Sequence, residues 1–445
     1  MNNKKMSYIS IFTFSLPLIL ASASDVIMST VDTAFIGHVG KVEIAAVGLS
    51  GLFVWAVYNL VKGILVSVGT LVSQNFGAKQ YRQIVISVHC GLLISLIAAV
   101  LFFLLRSILP FLLSYMNPSA DIQQAANTYL SIRFLGAFGF FGAIVFAALY
   151  RSLNLAKFVL ITSIFANFTN ILLDYLLIFT FDYGIQGAAI ATVISQWLSF
   201  AIYIVLFIYY DFSKIGILEN IKKFFGIELT LLKKLLSIGI PYSLKFFSEV
   251  MIFYLFIMMS GWLSVDALAV TTIMFQIVIF TNMTASGIGH SAQVLVGQKI
   301  GAKELDSAKK AGRLCVELNL FIALGFSIIL VLFSKYLIMI FNSEQSIASL
   351  FSSISFFGAC MICGDGLQMV AGSALNGACD TKIQFKYMMI YGYVLFVPLC
   401  YILTFDFKLQ LFGAWIAMAI FILLLGFALT YRFYSGQWEK NCNVV

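Results

Sequence analysis

"GILVSVGTLVSQNFGAK" occupies residues 63–79, and "GIGHSAQVLVGQKIGAK" occupies residues 287–303. Nine of the 17 positions are identical: Gly63, Ile64, Ser67, Leu71, Val72, Gln74, Gly77, Ala78 and Lys79 each find the same residue 224 positions later. "GAAIA" at 187–191 answers "GAWIA" at 413–417 with an offset of 226, and Pro17 answers Pro241, again at 224. One such match arises by chance. Three in order at nearly one spacing mark a duplication. The chain therefore reads as two copies of one unit.

Composition says what the unit is made of. Hydrophobic residues make up 61% of the 445 and charged residues only 10%. Soluble domains carry about 25% charged residues, so the chain is read as an integral membrane protein. Apolar runs separated by short polar breaks predict twelve helices, with cores at 8–35, 44–72, 84–107, 126–150, 158–181, 187–210, 236–259, 266–297, 313–337, 349–376, 386–405 and 411–433. Each exceeds or approaches the roughly 20 residues that cross a bilayer. The expected fold class is all-α, with twelve transmembrane helices in two pseudo-symmetric six-helix lobes.

Six spans return the chain to its starting side. The two halves are then parallel repeats, a design in which transporters bind substrate between the halves. The expected organisation is an N-lobe at 1–210, a cytoplasmic amphipathic linker at 211–235 and a C-lobe at 236–445. The linker, "DFSKIGILENIKKFFGIELTLLKKL", mixes Lys with Phe and Leu as a helix lying on a membrane surface does.

Of the 27 basic residues, 20 fall in the tails and loops that share the N-terminal side; Lys41, Arg106, Lys335 and Lys408 fall on the other side. Lys62, Arg133 and Lys245 fall within predicted spans. The positive-inside rule then puts both termini in the cytoplasm. The net charge of +8 is read as topology and not as nucleic-acid binding. "MNNKKMS" leads straight into a long span, so the first helix is expected to insert without cleavage. The seven cysteines are scattered, and Cys360 and Cys363 form a CxxC inside an apolar helix with no second pair. With His38, His89 and His290 also lacking ligand spacing, helix packing accounts for these residues better than metal binding does.

Five acids lie within spans: Asp25, Asp32, Asp174, Glu249 and Asp365. A mid-membrane acid costs a few kcal/mol even on lenient scales, and such acids face cavities and handle ions, protons or cationic substrates. Any one alone could be a structural ion pair; five divided between two halves point to function. Asp25 and Asp32 are seven residues apart, two helical turns, and share a face. Asn167, Asn170 and Asp174 form a polar stripe at spacings of three and four, which Thr192 on the next helix could join. Lys245 and Glu249 stand at i, i+4, a spacing that allows a direct ion pair. Asp365 sits among small residues in "CMICGDGLQM". Under the 224 offset Asp25 falls on Glu249, each eight residues after its proline. Two polar clusters, one per lobe, are expected, with Asp25 attracting cations or pairing with Lys62.

"VDTAFIGHVG", "LVSQNFGA", "NILLDY", "IQGAAIATVIS", "LVGQKIGA" and "ALNGACDTK" together resemble the multidrug and toxic compound extrusion (MATE) family over nearly the whole chain. The resemblance implies a twelve-helix, two-lobed antiporter in the inner membrane, exporting organic, mostly cationic compounds in exchange for H+ or Na+ by alternating access. It implies no cofactor, no enzymatic activity and a monomer. Asp32 matches the acid of the family's helix 1 motif, which makes it the expected ion-coupling residue. Asn170, Asp174 and Thr192 match the N-lobe network of the DinF-like branch, while Glu249 and Asp365 match the C-lobe acids of the NorM-like branch. Where the DinF-like network has an Asn on helix 4, this chain has Ala147, and the charges at Asp25 and Lys245 lie outside the family pattern. Both the coupling ion and the operative lobe stay open. The rival from the wider superfamily is a flippase for lipids or lipid-linked sugars, which would call for a more cationic cavity than five acids and three in-span bases provide. Against a membrane enzyme stands the lack of an HExxH or GxSxG motif; against a channel, the lack of a filter sequence.

Overall fold

A computed structural model describes residues 6–115, 119–209, 228–339 and 344–441. Among these there is no strand, and twelve helices are long and apolar enough to cross a membrane. They are α1 (Tyr8–Gly37), α2 (Lys41–Gly77), α3 (Tyr81–Leu105), α4 (Ala120–Ser152), α5 (Ala156–Thr180), α6 (Gly184–Tyr209), α7 (Leu229–Leu263), α8 (Val265–Gly301), α9 (Leu305–Met339), α10 (Gln345–Gly377), α11 (Thr381–Asp406) and α12 (Gln410–Tyr434). Most of the expected amphipathic linker, residues 211–227, lies outside the described residues. Large apolar side chains such as Phe165, Phe168 and Leu332 are more than half exposed, which suits contact with lipid and not with water.

The two sequence repeats have separate physical reasons. "GAK" at 77–79 and 301–303 is a helix stop. Lys79 (φ 58°) and Lys303 (φ 62°) take left-handed backbone. The N–H groups of Gln80 and Glu304 then reach back to the carbonyls of Asn75 (2.8 Å) and Lys299 (2.9 Å), the closure that satisfies the last carbonyls of a helix. The other repeat, "GAAIA" and "GAWIA", is a close approach. α5 ends in a π-helical turn at Leu176–Thr180 and α11 in another at Ile402–Asp406. A Cβ on Gly187 would stand 2.8 Å from the Leu177 carbonyl carbon, and one on Gly413 would stand 2.6 Å from that of Leu403. Only glycine lets α6 and α12 start against these turns.

The chain divides into two compact units, Leu20–Ser243 and Met1–Ile19 together with Leu244–Val445. The two crossing points, Leu20 and Leu244, are again 224 apart. Each half of the sequence gives the start of its first helix to the unit built from the other half. In the first unit, α2 packs on α3 and α4, and α4 on α6; in the second, α8 packs on α9 and α10, and α10 on α12. The first unit is centred on Tyr58, Phe102 and Phe141, whose rings meet at 5.0 to 5.7 Å. The second is centred on Phe256 set edge-on to Trp415 at 5.2 Å.

Candidate functional site

The first unit holds two polar groups along α1. Asp174 and Asn170 are fully buried on α5, one helical turn apart. The carboxyl of Asp32, on α1, comes within hydrogen-bonding reach of Asp174, and the Arg133 guanidinium on α4 acts electrostatically on both. Arg133 makes no ion pair within 4 Å with either acid, and its ring neighbour is Tyr129, 6.0 Å from the guanidinium carbon. Asp32 Oδ1, both Asp174 oxygens and both terminal atoms of Asn170 are buried and have no hydrogen-bond partner among the protein atoms. The two observations agree chemically. Two carboxylates are both acceptors, so they lie in reach of each other without a donor between them. Thr192 is buried on α6, and its hydroxyl donates to the Ala188 carbonyl at 2.9 Å, within its own helix.

Two turns earlier on α1, Asp25 meets α5 with a different partner set. It accepts hydrogen bonds from Ser163 Oγ at 2.6 Å and Asn167 Nδ2 at 2.8 Å, and Asn167 also donates to Ser24 Oγ at 2.9 Å. Asp25 is exposed. Lys62 on α2 and Arg151 on α4 feel its charge, but neither comes within ion-pair distance. The two acids on one face of α1 are thus unequal: Asp25 has donors and Asp32 faces another acid.

The second unit holds a closed network. Lys245 Nζ on α7 donates to Glu249 Oε2 at 2.7 Å and to Gln368 Oε1 on α10 at 2.9 Å. The Gln368 amide donates to Glu249 Oε1 and, at 2.8 Å, to Asp365 Oδ1. Asn282 on α8 donates to Asp365 Oδ2. The Lys245 ammonium also lies 5.0 Å from the Phe246 ring centre. Every carboxylate oxygen of Glu249 and Asp365 has a donor. Lys245, Glu249, Asp365 and Gln368 are all buried. The i, i+4 pair anticipated from sequence therefore forms.

Four participants escaped the sequence reading as members of a site. Ser163, which donates to Asp25, stands four residues before Asn167 and extends the polar stripe by one turn. Gln368 stands three residues after Asp365, a spacing that could have flagged it. Asn282 is a lone amide in an apolar stretch of α8. Arg133 was visible as a base within a span, with no partner to name. Of the CxxC, Cys363 Sγ lies 3.3 Å from Ser327 Oγ on α9.

A duplicated twelve-helix membrane protein with a polar cluster buried in each unit belongs to the class of transporters. The MatE family model matches residues 17–176 and again 241–402. The two matches begin 224 residues apart and cover most of the chain, which belongs to the MatE family of multidrug and toxin extrusion transporters; it is a multi-pass membrane protein and not an enzyme. The "Probable multidrug resistance protein NorM" of Rhodopseudomonas palustris is 28% identical over 437 residues, covering 94% of this chain and 90% of that protein. "Multidrug and toxin extrusion protein 1" of Mus musculus is 28% identical over 424 residues, covering 91% of this chain and 71% of the mouse protein. A crystal structure of a MATE protein in complex with MaL6 superposes with a TM-score of 0.89 at 19% identity, covering 97% of each chain.

Proposed function

We propose that the protein is a secondary active multidrug antiporter that exports organic, mostly cationic compounds in exchange for H+ or Na+, with Asp32 and Asp174 holding the coupling ion. The observation that supports this reading is the pair of carboxyl groups, in reach of each other and without a donor. Two adjacent carboxylates repel, and one bound cation relieves the repulsion. A proton shared between them does so directly. A sodium ion would use the same oxygens with Asn170 Oδ1, whose terminal atoms are equally unpartnered.

Arg133 gives the site its second state. When the ion leaves, the doubly charged pair is balanced by a guanidinium already close enough to act on both acids. Loading and unloading thus exchange one neutralising cation for another, and this biases which side of the membrane the site faces. The driving force is adequate: one charge crossing 100 mV supplies about 2.3 kcal/mol, and each pH unit across the membrane adds about 1.4 kcal/mol. Names of the relatives point to multidrug extrusion. A wall of Phe, Tyr and Met tolerates cations of varied shape.

In this reading Asp25 raises the local cation concentration on the cytoplasmic side, Thr192 lines the path through its free lone pairs, and Glu249 with Asp365 gives the second unit a net negative potential. The N-lobe at 1–210 and C-lobe at 236–445 are joined by the linker at 211–235. Both termini are cytoplasmic, and the protein acts as a monomer in the inner membrane. Reconstitution into proteoliposomes tests the proposal. A pH gradient and a sodium gradient, imposed separately, are each asked to drive movement of a fluorescent lipophilic cation. One of them drives it in the wild type and neither does in Asp32→Asn. Movement driven by neither gradient in the wild type would overturn the antiporter reading.

A further inference from the structure

We infer that Lys245 is a tethered cation that closes the acid cluster of the second unit to free ions, and that removing its charge opens a monovalent-cation site there. The ammonium stands where such an ion would stand. It touches Glu249 Oε2 at 2.7 Å and Gln368 Oε1 at 2.9 Å, two oxygens of the kind that bind hard cations. With both carboxyls ionised the cluster carries one net negative charge while Lys245 is seated, and two without it.

The two units differ in how their acids are satisfied. In the first, the oxygens of Asp174 and Oδ1 of Asp32 lack any donor. In the second, each of the four carboxylate oxygens has one, supplied by Lys245, Gln368 and Asn282. A buried acid pair whose partner is removed is left with uncompensated charge, which the protein avoids by recruiting a counter-ion. The repeat shows that the lysine belongs to one copy alone. Under the 224 offset Glu249 corresponds to Asp25, but Lys245 corresponds to Ala21. The acids of the second unit hold a cation in direct contact, whereas those of the first have only Arg133 beyond ion-pair distance, so only the first unit is open to an ion from solution.

Sodium binding to the purified full-length protein tests this without any transport step, so failure of the antiporter reading leaves the result readable. Radioactive 22Na+ binding and the sodium-dependent shift in melting temperature are measured against N-methyl-glucamine. An Asp32→Asn background removes the contribution of the first unit. With Lys245 in place, no sodium-specific binding or shift is expected. Lys245→Met should gain sodium binding at least tenfold tighter than the Lys245 parent, and Lys245→Met combined with Glu249→Gln, which restores one net negative charge, should lose the gain. Gained binding that disappears in the double variant supports the inference. No gain in a folded Lys245→Met overturns it. Should Lys245→Met fail to fold, the parent decides: sodium binding that is abolished by Glu249→Gln overturns the inference, and absence of sodium binding upholds it.

Discussion

Ile19 lies so close to Gly287 that a Cβ on the glycine would stand 2.6 Å from the Ile19 backbone nitrogen. The repeat reproduces the contact: a Cβ on Gly63 would stand 2.6 Å from Ser243 Cα. These glycines open the two copies of the sequence repeat. Each marks the place where the start of a first helix is packed into the unit formed by the other half. A backbone neighbour cannot swing away as a side chain can. Gly287→Ala is therefore expected to destabilise by about 1–3 kcal/mol, the usual range for overpacking. Gly325 is the control. It sits within α9 with nothing within 4 Å of an added Cβ, so Gly325→Ala should stabilise by roughly 0.5–1 kcal/mol through helix propensity. Thermal unfolding in detergent compares the two, and a Gly287→Ala variant as stable as Gly325→Ala would refute the packing account.

The acid pair makes a prediction in which stability and activity part company. Asp174→Asn replaces an acceptor that has no donor with an amide that can donate to Asp32. The net gain from one buried hydrogen bond is about 1 kcal/mol, so the variant should melt no lower than the wild type. Its gradient-driven transport should nevertheless be lost, because a lone carboxylate with an amide partner no longer needs a cation. Asp32→Asn should behave alike. A well-folded Asp174→Asn or Asp32→Asn variant that transports at the wild-type rate would remove the coupling ion from this pair.

Asp25 and Asp32 share a face of α1 but should not share a phenotype. Asp25 already accepts from Ser163 and Asn167 and is exposed, so its charge is satisfied before any ion arrives. Asp25→Asn is expected to reduce transport several-fold or shift its pH profile, while Asp32→Asn stops it. The comparison is made by initial rates in proteoliposomes across a range of pH. The reverse ranking would mean that coupling runs through the Ser163–Asn167 group.

What the sequence could reveal follows from geometry. Contacts within one helix depend only on the helical repeat, which is why Lys245 and Glu249 were legible at i, i+4. The twelve spans and the duplication were legible for a similar reason, since hydropathy and a fixed offset survive without coordinates. Contacts between helices depend on how each is rotated about its axis, and no periodicity within a uniformly apolar span reports that. Gln368 and Asn282 reach Glu249 and Asp365 only through such rotations, and Arg133 finds Asp32 and Asp174 the same way. The crossing at Ile19 and Leu20 was hidden for another reason: α1 is one continuous helix from Tyr8 to Gly37, and Pro17, three residues before the crossing, signals a local break in hydrogen bonding and not a change of neighbours.

The C-terminal turn supplies the last prediction. Trp438, in the 3-10 turn Gln437–Asn441, is fully buried although it lies after the last span. Its ring stacks on Phe433 at 5.7 Å with a 9° interplanar angle, and its Nε1–H donates to the Phe433 carbonyl at 2.9 Å. Glu439 adds an ion pair to Lys309 at 2.6 Å, with both side chains about a third exposed or more. Trp→Ala in a core costs about 3–5 kcal/mol, whereas an exposed pair such as Glu439–Lys309 contributes about 0–1 kcal/mol. The indole is therefore what holds the turn down. A terminal segment need not take the whole protein with it when it opens, because local unfolding caps the loss. Trp438→Ala should then raise hydrogen exchange at the Gln437–Asn441 amides at least tenfold while the melting temperature moves little. Glu439→Gln should leave both nearly unchanged. A fall in global melting temperature of the size seen for core tryptophans, with no separate local exchange, would show instead that the turn is part of the cooperative core of the second unit.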